Sequence, residues 1–396
     1  AGAGSLNEQS LNNAQFGWET ATSATALNPG SGMILRIGGS NATIGFTGTL
    51  QTGNVALSLA NGGQTNSGWH LLGNPYAATL DWNLLYDDAS TTGMEPIAYV
   101  FDANATYTGT YAGYNAMTDM SVNGGTENIA SGQGFFVQAS SGGGSLTLKT
   151  SHTLSADTEF FRTKQNAPEI QGELRMKLAD AQGNEDELLI YFAEGMTEGK
   201  DLGDAKKFFE HADGFPKLAS HAYGQDLMMD CRQPVGQETQ TFNLSIIAGK
   251  VGAYTLKAST IAKFAVGTEI FLEDKQENML IDLNQVSEYT FDLAKGELVE
   301  NRFNIILKNN QVTSIEDDLA ERGVSIHSSG NRLFMSFADF QSAEAQIAVY
   351  DLQGRQLLAQ STEGQTQISF EMPKSGIYIV KVENAKGLVT RKLYVE

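Results

Sequence analysis

Cysteine and histidine, the side chains that most often perform nucleophilic and metal chemistry, are scarce in this chain of 396 residues. The single cysteine, Cys231, lies beside Arg232, but a nucleophilic thiol also needs a base and a lowered pKa, so we expect an inert thiol. None of the five histidines lies two or four residues from another, the spacings that form a local metal site. The G-x-S-x-G, H-E-x-x-H, G-x-x-x-x-G-K-[ST] and G-x-G-x-x-G motifs are also absent. We therefore expect no enzyme activity from this chain, which leaves open a catalytic domain upstream of Ala1.

Two patterns have the spacing of oxygen ligands for calcium. They are Asp180-Gln182-Asn184-Asp186 and Asp102-Asn104. Neither reproduces the twelve-residue EF-hand loop with its closing Glu. The first pattern favours a plain hairpin turn, so the sequence predicts no cofactor and no metal, with calcium as the alternative at both places. Glycoside hydrolases use two carboxylates about 5 to 9 Å apart, but no spacing among the 46 acidic residues singles out such a pair.

Aromatic residues in the first 150 positions are the best candidates for binding a ligand. Trp69 and Trp82 are expected in the core, because this glycine-rich segment has few other large side chains. Tyr107, Tyr111 and Tyr114 come from Thr-Tyr-Thr-Gly-Thr-Tyr-Ala-Gly-Tyr, which favours an exposed loop or hairpin. We therefore expect these three tyrosines to be exposed and to stack on a ligand such as a sugar.

The net charge of the chain argues against binding to nucleic acid and to anionic membrane surfaces. With 26 basic and 46 acidic residues, the formal net charge is −20. Proteins that bind nucleic acid or anionic membrane surfaces do so through clustered basic residues, which a chain of this net charge does not favour. The one cysteine also excludes a framework of intrachain disulfides.

Composition divides the chain into three parts. Residues 1–150 hold 24 of the 42 glycines and only two cations, Arg36 and Lys149, whereas charged residues are common afterwards. A polar run follows Ser151, and Asn-Asn-Gln at 309–311 ends a strand-like segment. We therefore predict domains at 1–155, 156–312 and 313–396.

Short apolar runs bounded by turn residues predict an all-β fold throughout. The expected architecture is a series of antiparallel β-sandwich-like modules that ends in a small Ig-like sandwich of seven strands. In the last part, Thr366, Ile368 and Phe370 alternate with polar residues, as expected for a half-buried strand. One short helix is predicted at 202–210.

Three motifs occupy the last fifty residues in a fixed order. They are Val349-Tyr350-Asp351-Leu352-Gln353-Gly354-Arg355, then Met372-Pro373-Lys374-Ser375-Gly376-Ile377-Tyr378, then Arg391-Lys392-Leu393-Tyr394-Val395. From physics alone, Gly354 supplies a positive φ at a turn, and Tyr378 places its ring in the core with its hydroxyl at the rim.

Together, these motifs closely resemble the type A C-terminal sorting domain carried by cargo proteins of the type IX secretion system of Bacteroidetes. The resemblance covers about 314–396 and implies export across the outer membrane to the cell surface or the medium. It implies that the type IX translocon and its outer-membrane shuttle barrel are partners, and that the domain is usually cleaved after transport. The residues to which it assigns the signal are Asp351, Gly354, Arg355, Pro373, Gly376, Tyr378, Lys392, Leu393 and Val395.

The upstream parts are similar, less specifically, to modules of large Bacteroidetes surface proteins. Gly-Trp-His-Leu-Leu-Gly-Asn-Pro-Tyr at 68–76 and Ser-Gly-Gln-Gly-Phe-Phe-Val at 131–137 carry this similarity. We expect an adhesive or carbohydrate-binding role, with surface glycans as the ligand. The alternatives are an accessory region of a larger secreted hydrolase and a purely structural stalk.

Overall fold

The computed structural model describes most of the chain. The described residues are 2–6, 18–21, 28–36, 48–63, 67–105, 108–154, 167–208, 214–236, 238–309, 324–337, 345–351, 353–362, 365–384 and 387–395. They form strands almost throughout, which confirms the predicted all-β class. Among the described residues, no helix is long and apolar enough to cross a membrane.

The chain divides into two compact units, Ala1–Asn309 and Asn310–Glu396. We call them unit 1 and unit 2. Both predicted domain boundaries, after residues 155 and 312, fall outside the described residues.

In the first half of unit 1, the described residues form short strands and one short helix. These strands are β1 Gly2–Leu6, β2 Trp18–Ala21, β3 Ile34–Arg36, β4 Val55–Leu59, β5 Trp69–Gly73, β6 Leu80–Asp81, β7 Ile97–Ala105, β8 Thr108–Asn115, β9 Met120–Val122, β10 Asn128–Ile129, β11 Gly134–Gln138 and β12 Gly144–Leu148. Helix α1 spans Trp82–Tyr86, and its N-cap Asp81 accepts a hydrogen bond from the Leu84 amide. A 3-10 turn lies at Thr150–His152.

The second half of unit 1 has longer strands. These are β13 Ile170–Asp180, β14 Glu185–Ala193, β15 Ala205–Lys206, β16 Lys217–Ala222, β17 Gln225–Arg232, β18 Gln240–Ile247, β19 Gly252–Ala262, β20 Thr268–Asp274, β21 Met279–Asp282, β22 Glu288–Leu293, β23 Leu298–Val299 and β24 Phe303–Asn309.

Two sheets form the centre of unit 1. A five-stranded sheet has the order β5-β11-β7-β8-β9, and a twelve-stranded sheet carries all strands from β13 to β24. Along β13 the burial alternates strictly, as expected for a strand with one covered face. Strand β14 is buried at eight consecutive positions, because both of its faces are covered.

The covering of β14 joins the two halves of unit 1. One face of β14 packs into a core inside the twelve-stranded sheet, where Ile190 and Phe192 lie. The other face, with Leu189 and Tyr191, shares a core with Trp69 and other residues of the five-stranded sheet. The opposite face of the five-stranded sheet has a further core around Trp82.

Two local predictions have different outcomes. The segment after Asp180 forms the predicted hairpin turn between β13 and β14. The predicted helix at 202–210 is wrong within the described residues, because β15 pairs with β17 there instead. Pairing with β17 satisfies backbone groups of this segment, which the sequence pattern alone does not reveal.

The described residues of unit 2 form a sandwich of seven strands, as predicted. Its strands are β25 Val324–Ser329, β26 Arg332–Phe337, β27 Gln346–Asp351, β28 Gln356–Ser361, β29 Gln367–Glu371, β30 Gly376–Asn384 and β31 Gly387–Val395. They form a three-stranded sheet, β25-β26-β29, and a four-stranded sheet, β28-β27-β30-β31. Residues of both sheets, such as Met335 and Val380, share one core.

Candidate sorting signal

The three sorting motifs meet at one end of the four-stranded sheet of unit 2. Asp351, the last residue of β27, pairs with Tyr378 near the start of β30. Val395, the last residue of β31, pairs with Gly376, the first residue of β30. The antiparallel register therefore brings together three segments that are separate in sequence. We call this region the motif end; its described residues are 351, 353–355, 372–379 and 392–395.

In the first motif, the Asp351 side chain organises the turn. Its Oδ1 accepts hydrogen bonds from the amides of Gln353 and Arg355, at 3.1 and 2.9 Å. Gly354 has a φ of 79°, a left-handed conformation that glycine adopts without steric cost, as predicted. The Arg355 guanidinium lies 3.0 Å from Asp351 Oδ2, while 76% of its side chain stays exposed.

In the second motif, Tyr378 holds the turn from inside. Its ring is 5% exposed and belongs to the core, and its hydroxyl donates to the Lys374 carbonyl at 2.6 Å. Met372 is also buried, so the turn is fixed on both sides. Pro373, between these anchors, is exposed.

The third motif is the terminal strand, which alternates between core and solvent. Val395 is fully buried and Leu393 packs partly against the same core. Lys392 and Tyr394 face outward, and Tyr394 is 59% exposed. The Tyr394 hydroxyl lies 3.4 Å from Ser375 Oγ, which links the third motif to the second.

Strand β31 is an edge strand whose outer side is bridged by side chains. Ser328 Oγ donates to the Tyr394 carbonyl at 2.6 Å, and the Arg391 guanidinium donates to the Ile326 carbonyl. These contacts connect β31 to β25, the edge strand of the other sheet. Because one outward carbonyl of β31 already has a partner, side chains are better placed than this backbone edge to contact another protein.

The nine sequence-predicted signal residues thus separate into two sets. One set builds the fold at the motif end: Asp351, Gly354, Gly376, Tyr378, Leu393 and Val395. The other set has exposed side chains: Arg355, Pro373 and Lys392. We call the second set the presented residues. Sequence alone places both sets in one motif pattern and does not separate them.

The expectation of exposed tyrosines in the first part is wrong for two of the three. Tyr111 and Tyr114 are 7% and 4% exposed. Their segment forms β8, an inner strand of a sheet covered on both faces, rather than a loop. The Tyr114 hydroxyl donates to Asp119 at 2.5 Å. Burial is the main cause that raises the pKa of Tyr114, and this hydrogen bond raises it further. Tyr107 lies outside the described residues.

The first and last residues of the longer calcium pattern, Asp180 and Asp186, have different surroundings. Asp180 caps its own turn, since Oδ1 accepts from the amides of Gln182 and Asn184, both at 2.9 Å. Asp186 points into the protein, where Lys207 and other donors surround it. Among the described residues there is no group of three or more His, Cys, Asp or Glu side chains arranged to hold a metal.

Cys231 lies between the two sheets of unit 1. It is fully buried, and burial raises its pKa, so the thiol stays protonated.

Two known families match this chain, and the first match identifies the class of protein. Residues 329–396 match the secretion system C-terminal sorting domain. The protein is therefore a type IX secretion cargo, exported to the cell surface or the extracellular medium. A second match extends over residues 6–307, to the family described as Domain of unknown function (DUF8693), and the chain belongs to that family.

Comparison with individual proteins adds little. No curated protein matches the chain. Solved structures with some similarity include Faecalibacterium prausnitzii beta-glucuronidase, at 11% identity and a TM-score of 0.18, covering 59% of this chain and 47% of that one. Another is a tetra-tandem repeat in the extending region of a large adhesion protein, at 7% identity and a TM-score of 0.14, covering 76% and 92%. The chain thus spans about half the length of the glucuronidase, and scores at this level do not establish a shared fold.

Proposed function

We propose that the motif end is the surface by which unit 2 is recognised during type IX export. The convergence of three distant motifs at one end of a sheet carries this proposal. The presented residues Arg355, Pro373 and Lys392 would make the contacts, while the buried motif residues hold the turns that position them. The proposed partners are the type IX translocon and its outer-membrane shuttle barrel.

Substituting these side chains should cause only a small loss of stability, which supports a role in contacting a partner rather than in folding. Arg355 makes one ion pair, on the surface, and such pairs contribute at most about 1 kcal/mol to stability. Pro373 and Lys392 are likewise exposed. Substituting them should leave the sandwich intact, so an export defect would report on recognition.

A fusion tests whether unit 2 is sufficient for export. Residues 310–396, placed after a signal peptide and a fluorescent protein, are expressed in a host with a type IX system. We expect fluorescence at the surface or in the medium, and retention in the periplasm when Arg355, Pro373 and Lys392 are all changed to Ala. Surface delivery of both fusions would refute recognition through the presented residues.

For unit 1, we propose an adhesive or carbohydrate-binding role outside the cell. The supporting feature is the turn between β16 and β17, which carries an exposed aromatic ring among polar side chains. Tyr223 is 42% exposed, and the Arg232 guanidinium lies 6.0 Å from the centre of its ring. Near the same turn, His221 Nδ1 lies 2.9 Å from Asp226 Oδ1. Aromatic faces flanked by hydrogen-bonding groups are suited to stack on sugar rings.

A glycan array tests this role with the full chain and Tyr223→Ala. We expect binding to at least one glycan class that Tyr223→Ala weakens at least tenfold. Phe101→Ala is the control, because Phe101 is exposed to a similar extent, 37%, on another strand. An array without bound glycan would refute the carbohydrate role and favour an accessory or structural one.

A further inference from the structure

A buried cluster of charged and amide side chains lies where the two halves of unit 1 meet. Its centre is Asp186, whose side chain is fully buried, and its strongest partner is Lys207, whose side chain is 2% exposed. The Lys207 ammonium lies 2.6 Å from Oδ1 and 2.5 Å from Oδ2 of Asp186. Export through unit 2 makes no use of this cluster.

Asn123, which follows β9, reaches the same carboxylate from the other half of unit 1. Its Nδ2 donates to Asp186 Oδ1 at 3.1 Å. Because Lys207 Nζ and Asn123 Nδ2 share this oxygen, the two nitrogens lie no more than 5.7 Å apart, the sum of the two distances. A buried amine and a half-buried carboxamide thus contact the same buried carboxylate.

The Asn123 carboxamide is held in a fixed orientation. Its Oδ1 accepts a hydrogen bond from the Glu187 amide at 2.8 Å, and the Asn123 amide donates to Glu187 Oε2 at 2.7 Å. Its Nδ2 also donates to Thr110 Oγ1 at 3.2 Å and to the Tyr111 carbonyl at 3.0 Å. The N–H on Oδ1 polarises the carbonyl and would stabilise negative charge that develops there during attack by a nucleophile.

We propose that Lys207 and Asn123 form an intramolecular amide bond, with Asp186 as the proton carrier. Asp186 takes a proton from the Lys207 ammonium, and the neutral amine attacks Cγ of Asn123. The C–N bond to Nδ2 then breaks as Asp186 passes its proton to the leaving nitrogen. Asp186 next takes the surplus proton from the attacking nitrogen, which becomes the amide N–H, and passes it to the released ammonia, which departs as ammonium. One Nζ–Cγ bond forms and one Cγ–Nδ2 bond breaks, so the step needs no oxidant or other co-reactant.

Burial of Asp186 favours its neutral form, while the donors around it favour the carboxylate and lower its pKa overall, so proton transfer within the ion pair depends on the burial of the site. Because the side chains of Lys207 and Asp186 are buried, a neutral amine and a neutral carboxylic acid are closer in free energy to the charged pair than they are in solution. Thr110 Oγ1 and the Leu218 amide also donate to Asp186, at 2.8 and 2.7 Å, and hold it in place.

The geometry also indicates that Lys207, rather than the other buried lysine of the cluster, is the attacking amine. Lys217 Nζ donates to the Gly109 carbonyl at 2.7 Å. It therefore points to the backbone of β8, whereas Lys207 Nζ contacts both oxygens of Asp186. Lys217 is accordingly the matched control for Lys207.

Intact mass spectrometry of the denatured full chain tests the proposal without any substitution. We expect a mass below that of the sequence by one ammonia, about 17 Da, and a protease digest in which the peptides containing Asn123 and Lys207 are joined. The unchanged sequence mass would overturn the proposal. A loss of one water, about 18 Da, with Lys207 joined to Asp186 would overturn the choice of Asn123.

Variants test the roles of the individual residues. Lys207→Arg and Asp186→Asn should each restore the full mass, while Lys217→Arg should keep the loss of ammonia. If Lys217→Arg restored the full mass while Lys207→Arg did not, the assignment of the amine would be wrong. A variant that does not fold leaves the wild-type mass and its joined peptides as the deciding result. None of these measurements depends on the route of export.

Discussion

The terminal strand should tolerate a change at Tyr394 and not at its neighbour Val395. Val395 is fully buried, and Val395→Ala removes two buried carbon atoms from the core of unit 2. At about 0.8 kcal/mol for each carbon, with a further contribution from the cavity, the loss is about 2 kcal/mol. Tyr394 is 59% exposed, so Tyr394→Ala should cost no more than about 0.5 kcal/mol.

Hydrogen exchange of the full chain, followed by mass spectrometry, measures this difference. A loss of about 2 kcal/mol corresponds to an approximately thirtyfold decrease in amide protection in peptides from β30 and β31. Peptides from β14 in unit 1 provide the internal control. Equal effects of the two substitutions would refute the assignment of Val395 to the fold and Tyr394 to the surface.

Three further predictions concern single side chains. Gly354→Ala should destabilise the β27–β28 turn by about 1 kcal/mol, because φ is 79° there, and faster exchange in this hairpin would report it. Arg355→Ala should change the free energy of unfolding of unit 2 by less than about 1 kcal/mol in denaturant titrations, since its ion pair lies on the surface. Burial raises the pKa of Asp204 to about 7 from 3.8, so the folded protein retains a proton that the unfolded chain has released. The stability of unit 1 should therefore fall as pH rises from about 4 to 7, on the order of 3 kcal/mol, and Asp204→Asn should abolish this fall in urea titrations followed by tryptophan fluorescence.

Local periodicity was sufficient to predict the strands and the seven-stranded sandwich of unit 2. The alternation of Ile368 and Phe370 with polar residues corresponds to β29, where Phe370 is buried in the core. The turn at Gly354 was also predictable, because a left-handed residue in a tight turn favours glycine.

Burial in unit 1 was less predictable because it depends on contacts between distant segments. The Tyr111 segment has the composition of a loop, yet it lies in the middle of a covered sheet. The glycines that suggest flexibility allow close packing there: a Cβ on Gly109 would lie 2.1 Å from the Asp102 carbonyl oxygen. Asp186 was considered only as a calcium ligand, since nothing near it in sequence points to Lys207 or Asn123 as its partners.

For the sorting motifs too, the sequence alone does not predict what each residue does. The family resemblance assigns nine residues to the signal, but their shared pattern reflects two different physical demands. Asp351 and Tyr378 satisfy backbone groups in turns, whereas Arg355 and Lys392 are exposed. Only the register of β27, β30 and β31 brings the exposed side chains to one end of the sheet.

Export of the full chain with two matched triple substitutions tests the central claim most directly. The first variant changes the presented residues Arg355, Pro373 and Lys392 to Ala. The second variant also introduces Ala, at Gln346, Glu383 and Leu388, which are three exposed residues at the opposite end of the same sheet. With amounts at the cell surface and in the medium measured by immunoblotting, we expect the first variant to accumulate in the periplasm and the second to be exported like the wild type. Export of the first variant at the wild-type level, or retention of both, would contradict recognition at the motif end.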